Sequence, residues 1–370
     1  MLCSGLDGVN RGYETHTRIL FENLKLERQR QIKVMLFKGS GQRANDEIVL
    51  PTPRRGGSLC RFLARFRGDR LYWEYLFFCL AFLARSFLLR ERYDVVASIE
   101  PMAAKTIRRL RWLMPGRPRL TYTHGVWMAP ADYLNNADCI HEVNIENYDR
   151  AVDYVRQSGA EREVVCIPHF LPDLGPPRHD GTVTRASLGL STRYVVLTVG
   201  IVDSVHKRTD HVAREVAMLG PDWSLLACGT PLGPDGERVS QLARELLGHR
   251  FVNISLPRER MAEIYPLCDF CVLGSLNEGF GLVLLEGMRA GRPVIAHDRP
   301  LFRWILGDCQ SCVDMSVAGA LANRLARLAE RPTETTQLGD QNRQEFMKRF
   351  TWTVLRGSYL AMLCGDPLKR

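Results

Sequence analysis

The sequence has no apolar run, uninterrupted by charge, that is long enough to cross a bilayer. Its most apolar stretch, Tyr75 to Ala84, is ten residues bounded by Glu74 and Arg85, where a spanning helix needs about 20. The opening residues, Met1-Leu-Cys-Ser-Gly-Leu-Asp, lack a basic segment followed by an apolar one, so no secretory signal is read there and the expected location is cytoplasmic. No Asp-x-Asp pair suited to Mg²⁺ or Mn²⁺ occurs, and there is neither a low-complexity tract nor a repeat of fixed period. The eleven cysteines, an odd number spread thinly over 370 residues, argue against a disulfide framework and fit a reducing compartment. Two pairs have metal-like spacing, Cys268-x-x-Cys271 and Cys309-x-x-Cys312, but lack the short knuckle setting of a zinc site, so no metal or cofactor is expected.

What is present is an ordinary globular composition, 45% apolar and 25% charged, in a chain long enough for two cores. Fifty Lys and Arg against forty-one Asp and Glu leave a net charge of +9, which favours anionic partners without naming them. Short apolar segments alternate with helical ones, the pattern of parallel sheets covered on both faces and hence of α/β domains.

In the N-terminal half a Gly-rich loop carries Gly5, Gly8 and Gly12 around Asn10-Arg11, between a very short strand and an amphipathic helix from Glu14 to Leu26. Such a turn presents backbone to a ligand, which makes Gly8, Asn10, Arg11 and Gly12 candidate binding residues. Strands are expected over 31–37, 94–99 and 119–123, the last leading into His124-Gly125, and Val164 to Pro168 closes the first half. His124 ends a strand, where α/β folds place functional groups. Residues 53–92 hold nine arginines against three acids. There Leu59, Phe62, Leu63 and Phe66 follow helical spacing with Arg61, Arg65 and Arg67 on the other side, which fits a basic helix on an anionic membrane or a core helix with a solvated arginine face. A nucleic-acid role fits less well, because the charge is interleaved with core-like aromatics and no binding module is recognisable. The Pro/Gly-rich stretch from Leu171 to Thr182 reads as the linker between domains.

The second half opens with Tyr194 to Val199, a strand ending at Gly200. A loop with His206, Lys207 and Arg208 follows, and Thr209-Asp210 are expected to cap the next helix. Further strands are expected at 224–228, 251–255, 270–273 and 293–296. The stretch Gly274 to Ala290, GSLNEGFGLVLLEGMRA, follows an apolar strand, turns on Gly279 and Gly281 and opens an apolar helix. In it Glu286 is a carboxylate among Val283, Leu284, Leu285 and Met288, and an unpaired charge there costs several kcal/mol, so a polar partner is required. A helix N-terminus suits phosphate, and a carboxylate one step beyond suits hydroxyls. Together they describe a pocket for a sugar nucleotide. The alternative is a strand-turn-helix whose Glu286 is met by protein donors. Lys207 and Arg208, beside a helix N-terminus, have the charge to neutralise a diphosphate without a metal.

Glu278-Gly-Phe-Gly-Leu-Val-Leu-Leu-Glu286 resembles the E-x7-E signature of the retaining glycosyltransferases of family 4, which have the GT-B fold: two Rossmann-like α/β domains with parallel sheets facing across a cleft. The likeness includes Gly200 with Lys207-Arg208, Gly291-x-Pro293 and Phe350-Thr-Trp352, and is weaker before residue 160. It implies an acceptor domain over 1–175, a donor domain over 183–349, and a final helix over 350–366 that returns to the first domain. It implies that Glu286 holds the donor ribose, Glu278 the transferred sugar and Lys207 the diphosphate. Gly279, Phe280, Gly281 and Leu282 would lie against the donor, and His124 near the anomeric centre. The expected partners are a nucleotide-sugar donor and a glycan, lipid-linked or small-molecule acceptor, with an anionic membrane surface as a further candidate and no nucleic acid. Ile201 stands where the family carries a basic residue, and Asn10-Arg11-Gly12 replaces a double glycine. A non-catalytic nucleotide-sugar-binding scaffold is the second reading.

Overall fold

The computed structural model describes residues 1–8, 12–27, 32–54, 56–66, 69–172, 183–307 and 310–365. Asn10, Arg11, Cys309 and residues 173–182 of the expected linker lie outside them. The chain divides into two compact units, Met1–Pro172 with Leu355–Arg370, and Asp173–Val354.

The described strands of unit 1 are β1 (Leu2–Cys3), β2 (Leu36–Lys38), β3 (Glu47–Val49), β4 (Val95–Ser98), β5 (Arg119–His124), β6 (Cys139–Glu142) and β7 (Glu163–Cys166). They form one parallel sheet in the order β3-β2-β1-β4-β5-β6-β7. Its helices are α1 (Gly12–Leu26), α2 (Ser58–Leu63), α3 (Arg70–Leu88), α4 (Pro101–Leu110), α5 (Pro130–Tyr133) and α6 (Ile145–Ser158). Local chemistry sets their ends. Asn144 caps α6 by accepting from the backbone N–H of Glu146, and Gly159 ends it in a left-handed turn. Pro101 starts α4, where its missing N–H has no partner to lose. The core joins the sheet to α3 and α4 through Phe37, Phe78, Phe82, Ile107, Leu120 and Ile140.

Three expectations are corrected here. The strand expected over 31–37 is confined to Leu36–Lys38, because β1 and β3 present only two and three residues to pair with; Gln31 itself lies outside the described residues. β6 was not foreseen, since its four buried residues include His141 and Glu142. The apolar run at 75–84 is part of a longer helix: Glu74 and Arg85 lie inside α3, whose 19 residues are long and apolar enough to cross a membrane by length and composition. Tyr75, Phe78, Cys79, Phe82 and Leu83 of that helix are nevertheless buried in unit 1, as in a core helix. α2 differs: it ends at Leu63, short of the expected stripe, and buries Cys60, while its Leu59, Arg61 and Phe62 are exposed, as are Arg65 and Phe66 in the turn that follows; Arg67 lies outside the described residues.

The described strands of unit 2 are β8 (Tyr194–Val199), β9 (Trp223–Cys228), β10 (Phe251–Ile254), β11 (Phe270–Leu273), β12 (Val294–His297) and β13 (Cys312–Val313), in a parallel sheet ordered β10-β9-β8-β11-β12-β13. Its helices are α7 (Thr209–Met218), α8 (Gly233–Leu247), α9 (Leu282–Arg289), α10 (Pro300–Leu306), α11 (Ala320–Ala329) and α12 (Pro332–Arg349), while α13 (Trp352–Cys364) runs into unit 1. β9 and β11 are buried at every residue, which is why they read as apolar runs, broken only by Ser224 in β9. In each sheet the strand order reverses once, between β1 and β4 and between β8 and β11. The loops at the carboxyl ends of such a pair diverge and leave a crevice. In unit 2 those loops are Gly200 to Arg208 and Gly274 to Gly281.

Candidate functional site

The β8 loop folds around Asp203, whose carboxylate accepts from the backbone N–H of His206 and Lys207 at 3.0 and 2.7 Å and lies 2.7 Å from His206 Nδ1. This turn aims Lys207 back across Gly200. A Cβ added at Gly200 would lie 2.6 Å from Lys207 Cε, and the residue has φ +130, so glycine is required there both for the backbone and for the lysine stem. Gly229, just beyond β9, is tighter still, since a Cβ would fall 1.6 Å from the Gly200 carbonyl oxygen.

Lys207 Nζ donates to Glu278 Oε1, which also accepts from Ser275 Oγ at 2.7 Å. Both partners of this ion pair are largely but not fully buried, at 18% and 17% side-chain exposure, so a ligand can reach them. The structure thus brings Gly200, Lys207 and Glu278 together at the β8–β11 switch point. Arg208 is placed differently. It holds a left-handed φ of 50, and its Nη1 donates to the carbonyls of Met315 and Gly274 at 3.0 and 3.4 Å. It braces its own loop against the two that carry Met315 and Gly274. Thr209-Asp210 do not cap α7: Arg208 occupies the N-cap position without a side-chain bond, and Thr209 N–H donates to the Asp203 carbonyl.

The Gly-Phe-Gly turn is anchored by Phe280, which is 4% exposed and meets Trp304 and Phe350 edge-on. Gly281, at φ +95, forms the N-cap of α9, a conformation that a side chain would disfavour. Leu282 is the first residue of that helix. Four residues on, Glu286 is 4% exposed. Its required partner is provided by the protein: the Tyr265 hydroxyl donates to Oε2 at 2.5 Å and Arg258 Nη2 lies 3.0 Å from Oε1. Burial, reinforced by the Glu286 carboxylate, pushes the Tyr265 phenol well above its ordinary range, so it remains a donor. Neither Tyr265 nor Arg258 is marked as a partner of Glu286 by the sequence. The signal for Tyr265 was available, as a buried carboxylate on α9 demands a donor from the segment that packs on it.

In unit 1, Gly8 approaches Ser40, whose Oγ would be 2.8 Å from an added Cβ, and Gly12 opens α1. At the β1–β4 switch point Glu100 accepts from Ser4 Oγ and the Ser4 and Gly5 amides at 2.7, 2.9 and 3.4 Å. Burial raises this carboxyl to about 7. His124 is fully buried at the end of β5, and its Nδ1 lies 2.8 Å from Glu142 Oε2. Glu142 was missed because β6 was missed. Among the described residues no group of three or more His, Cys, Asp or Glu side chains is arranged to hold a metal ion. Cys268 and Cys271 are buried thiols with their sulfurs 3.4 Å apart.

Residues 182–345 match the family model described as "Glycosyl transferases group 1", and these residues span the β8 and β11 loops, the Lys207–Glu278 pair and Glu286. The match covers less than half of the chain. Among the curated proteins to which the chain is similar is a D-inositol 3-phosphate glycosyltransferase from Corynebacterium urealyticum, 42% identical over 178 residues, or 44% of this chain and 41% of that protein. The chain aligns with only 42%, 37% and 41% of the length of the first curated relatives it matches. Among solved structures, sucrose-phosphate synthase from Thermosynechococcus elongatus superposes with a TM-score of 0.76 at 22% identity, covering 97% of this chain and 96% of that one. Anabaena HepE in complex with UDP-glucose gives 0.75 at 14% identity, covering 98% and 99%. With two Rossmann-like units, the fold class is GT-B.

Proposed function

We propose that the chain is a glycosyltransferase moving a sugar from a nucleotide-sugar donor to an acceptor hydroxyl, with retention of anomeric configuration and without a metal. The observation that carries this reading is the Lys207–Glu278 pair at the switch point of unit 2, beside the N-terminus of α9. In this reading the diphosphate takes Lys207 from Glu278, and Glu278 is released toward the sugar hydroxyls. Lys207 and the partial positive charge at the start of α9 then stabilise the negative charge that develops as the nucleotide departs. Glu286 meets the ribose through an oxygen shared with its protein donors. HepE, which shares the fold, was solved in complex with UDP-glucose, and this supports the donor class; the names of the curated relatives support transfer to a hydroxylated acceptor. Incubation with a panel of UDP-, GDP- and ADP-sugars, alone and with candidate acceptors, tests the reading: acceptor-dependent release of free nucleotide is expected, and binding of nucleotide sugar without release would leave the scaffold reading, which the exposed Ile201 after Gly200 favours.

The reading places the protein in the cytoplasm and at the inner membrane surface. Support comes from α2 and the turn after it, where exposed Leu59, Phe62 and Phe66 stand beside exposed Arg61 and Arg65, apolar and basic groups of the kind that bind an anionic interface. Flotation with phosphatidylglycerol-containing liposomes, lost in Phe62→Ser/Phe66→Ser, is the expected result. Equal flotation with neutral liposomes would count against it.

A further inference from the structure

A cavity of about 550 Å³ opens in unit 1 between α4 and α5 with the turn that follows α5. That size lies within the roughly 300–1,000 Å³ of small-molecule pockets. None of the residues that line it belongs to the Gly200 to Arg208 or Gly274 to Gly281 loops.

The two walls differ in chemistry. α4 rests on the core through Ala103, Ala104 and Ile107, and Lys105, Arg108 and Arg109 line the cavity. Asp138 engages one of these three: Arg108 Nη1 lies 2.5 Å from its Oδ1, and Arg111 Nη1 lies 2.8 Å from its Oδ2. Lys105 and Arg109 have no ion pair or hydrogen bond among the described residues. The other wall carries Asp132 and Asn136. Asn136 is 7% exposed, and its Nδ2 donates to the Asp132 carbonyl at 3.2 Å. Its Oδ1 has no partner among the described residues, and neither has the Asp132 carboxylate.

Two cations and a carboxylate thus border one space without pairing, although opposite charges attract. The scaffold keeps them apart. α4 is held by its buried face and the Arg108–Asp138 bridge, and α5 by buried Tyr133, whose hydroxyl donates to Glu142 Oε1 at 2.7 Å. A nearly buried amide oxygen without a donor points to a ligand, because such atoms are almost always matched. The chemistry of that ligand is constrained from both sides. Lys105 and Arg109 call for an anion, and phosphate suits the arginine fork. The Asp132 carboxylate and Asn136 Oδ1 only accept, so they call for hydroxyl donors. A bare anion would leave the second wall unmatched, and a cation would leave the first. Half-buried Met102 and Met128 complete the lining with adaptable apolar contact.

We propose that this cavity binds a phosphate monoester of a polyol, with Lys105 and Arg109 on the phosphate and Asp132 and Asn136 on the hydroxyls. The proposal makes no use of the sugar-transfer reading and stands if that reading fails.

Isothermal titration of the full chain with glycerol 3-phosphate and with inorganic phosphate, at fixed ionic strength, tests it. Wild type and Lys207→Ala should each bind one glycerol 3-phosphate, more tightly than inorganic phosphate. Lys105→Ala/Arg109→Ala should weaken both probes at least about tenfold, with an unchanged melting temperature, since neither side chain braces another element. Asp132→Ala should keep inorganic phosphate and bring glycerol 3-phosphate down toward it. Vesicles containing phosphatidic acid separate the two sources of such a group: displacement of glycerol 3-phosphate assigns the site to a lipid headgroup and no displacement to a soluble ester, and either supports the site. Absence of saturable binding in wild type overturns the proposal. So does binding that survives in Lys105→Ala/Arg109→Ala or disappears in Lys207→Ala, and so does equal affinity of wild type for the two probes.

Discussion

Tyr265→Phe isolates the interaction that lets Glu286 sit where its sequence neighbours are apolar. The change keeps the ring, which is 1% exposed, and removes the hydroxyl that donates to Glu286 Oε2. A hydrogen bond to a charged group contributes about 1.5–3 kcal/mol, and a buried acceptor left unmatched costs a similar amount. A loss of about 2 kcal/mol in a domain of roughly 180 residues lowers its melting temperature by about 4–8 °C. Arg258 cannot replace the hydroxyl, because it faces the other oxygen and is 40% exposed. For the same reason Arg258→Ala should cost no more than about 1 kcal/mol, the range of screened surface pairs. Glu286→Gln, which keeps an acceptor for Tyr265, should cost less than Tyr265→Phe. In Tyr265→Phe/Glu286→Leu both polar groups are gone, so the loss should be smaller than the sum of the singles, a coupling that a double-mutant cycle reads directly. Calorimetry is the assay, because two units can give two transitions and only that of unit 2 should move. A Tyr265→Phe midpoint within about 1 °C of wild type would refute the reasoning, since it corresponds to well under 1 kcal/mol at this size.

Other expected outcomes follow from the same packing. Gly200→Ala should lower nucleotide release more than stability, because the added carbon lies 2.6 Å from Lys207 Cε and displaces the lysine, whereas Gly229→Ala should not yield folded protein, its Cβ falling 1.6 Å from a backbone oxygen; enzyme assay and soluble yield check the pair. Lys207→Ala should lower turnover at least about tenfold if the lysine contributes even 1.4 kcal/mol to departure of the nucleotide, and steady-state kinetics read this. Unit 1 should lose stability in mild acid. Burial depresses His16 to about 3 and His141 to about 4 from 6.5, so their contribution is complete above pH 6.5 and is withdrawn as pH falls toward those values. Each removes about 2 kcal/mol between pH 7.5 and 5. Glu100 acts oppositely: its carboxyl is raised from 4.5 to about 7, so its contribution is full below 4.5 and lost as pH rises through 7, which returns about 2 kcal/mol over the same interval. Glu100→Gln should therefore steepen the acid loss in denaturant melts at pH 7.5 and 5, and an unchanged slope would contradict the assignment.

The α/β class and the elements that bring Gly200, Lys207 and Glu278 together in unit 2 were legible because their signals are local. β8 and β11 are short apolar runs, and the eight-residue spacing from Glu278 to Glu286 survives as a turn plus five residues of helix. Gly200, Lys207 and Glu278 could be brought together on paper because a switch point joins the loops after β8 and β11. What failed was non-local. Tyr265 and Arg258 reach Glu286 only through packing, and nothing in GSLNEGFGLVLLEGMRA names them. Arg208 read as a free cation beside Lys207, yet its left-handed backbone turns it toward two carbonyls. β6 was invisible because a buried strand was expected to be apolar, while His141 and Glu142 are matched by His141 Nε2 bonding the Ile167 carbonyl and by the His124–Tyr133 pair. The apolar stripe of α2 was readable from periodicity, but which way it faces was not.

The most direct test of the central claim is nucleotide-sugar turnover followed by proton NMR in the presence of EDTA, with wild type and Lys207→Ala compared on the same donor and acceptor. The account predicts acceptor-dependent release of free nucleotide, a product whose anomeric configuration matches the donor's, no loss of rate with EDTA, and a rate at least about tenfold lower in the variant. Nucleotide sugar that binds but is never cleaved, or turnover that is indifferent to Lys207, would contradict it.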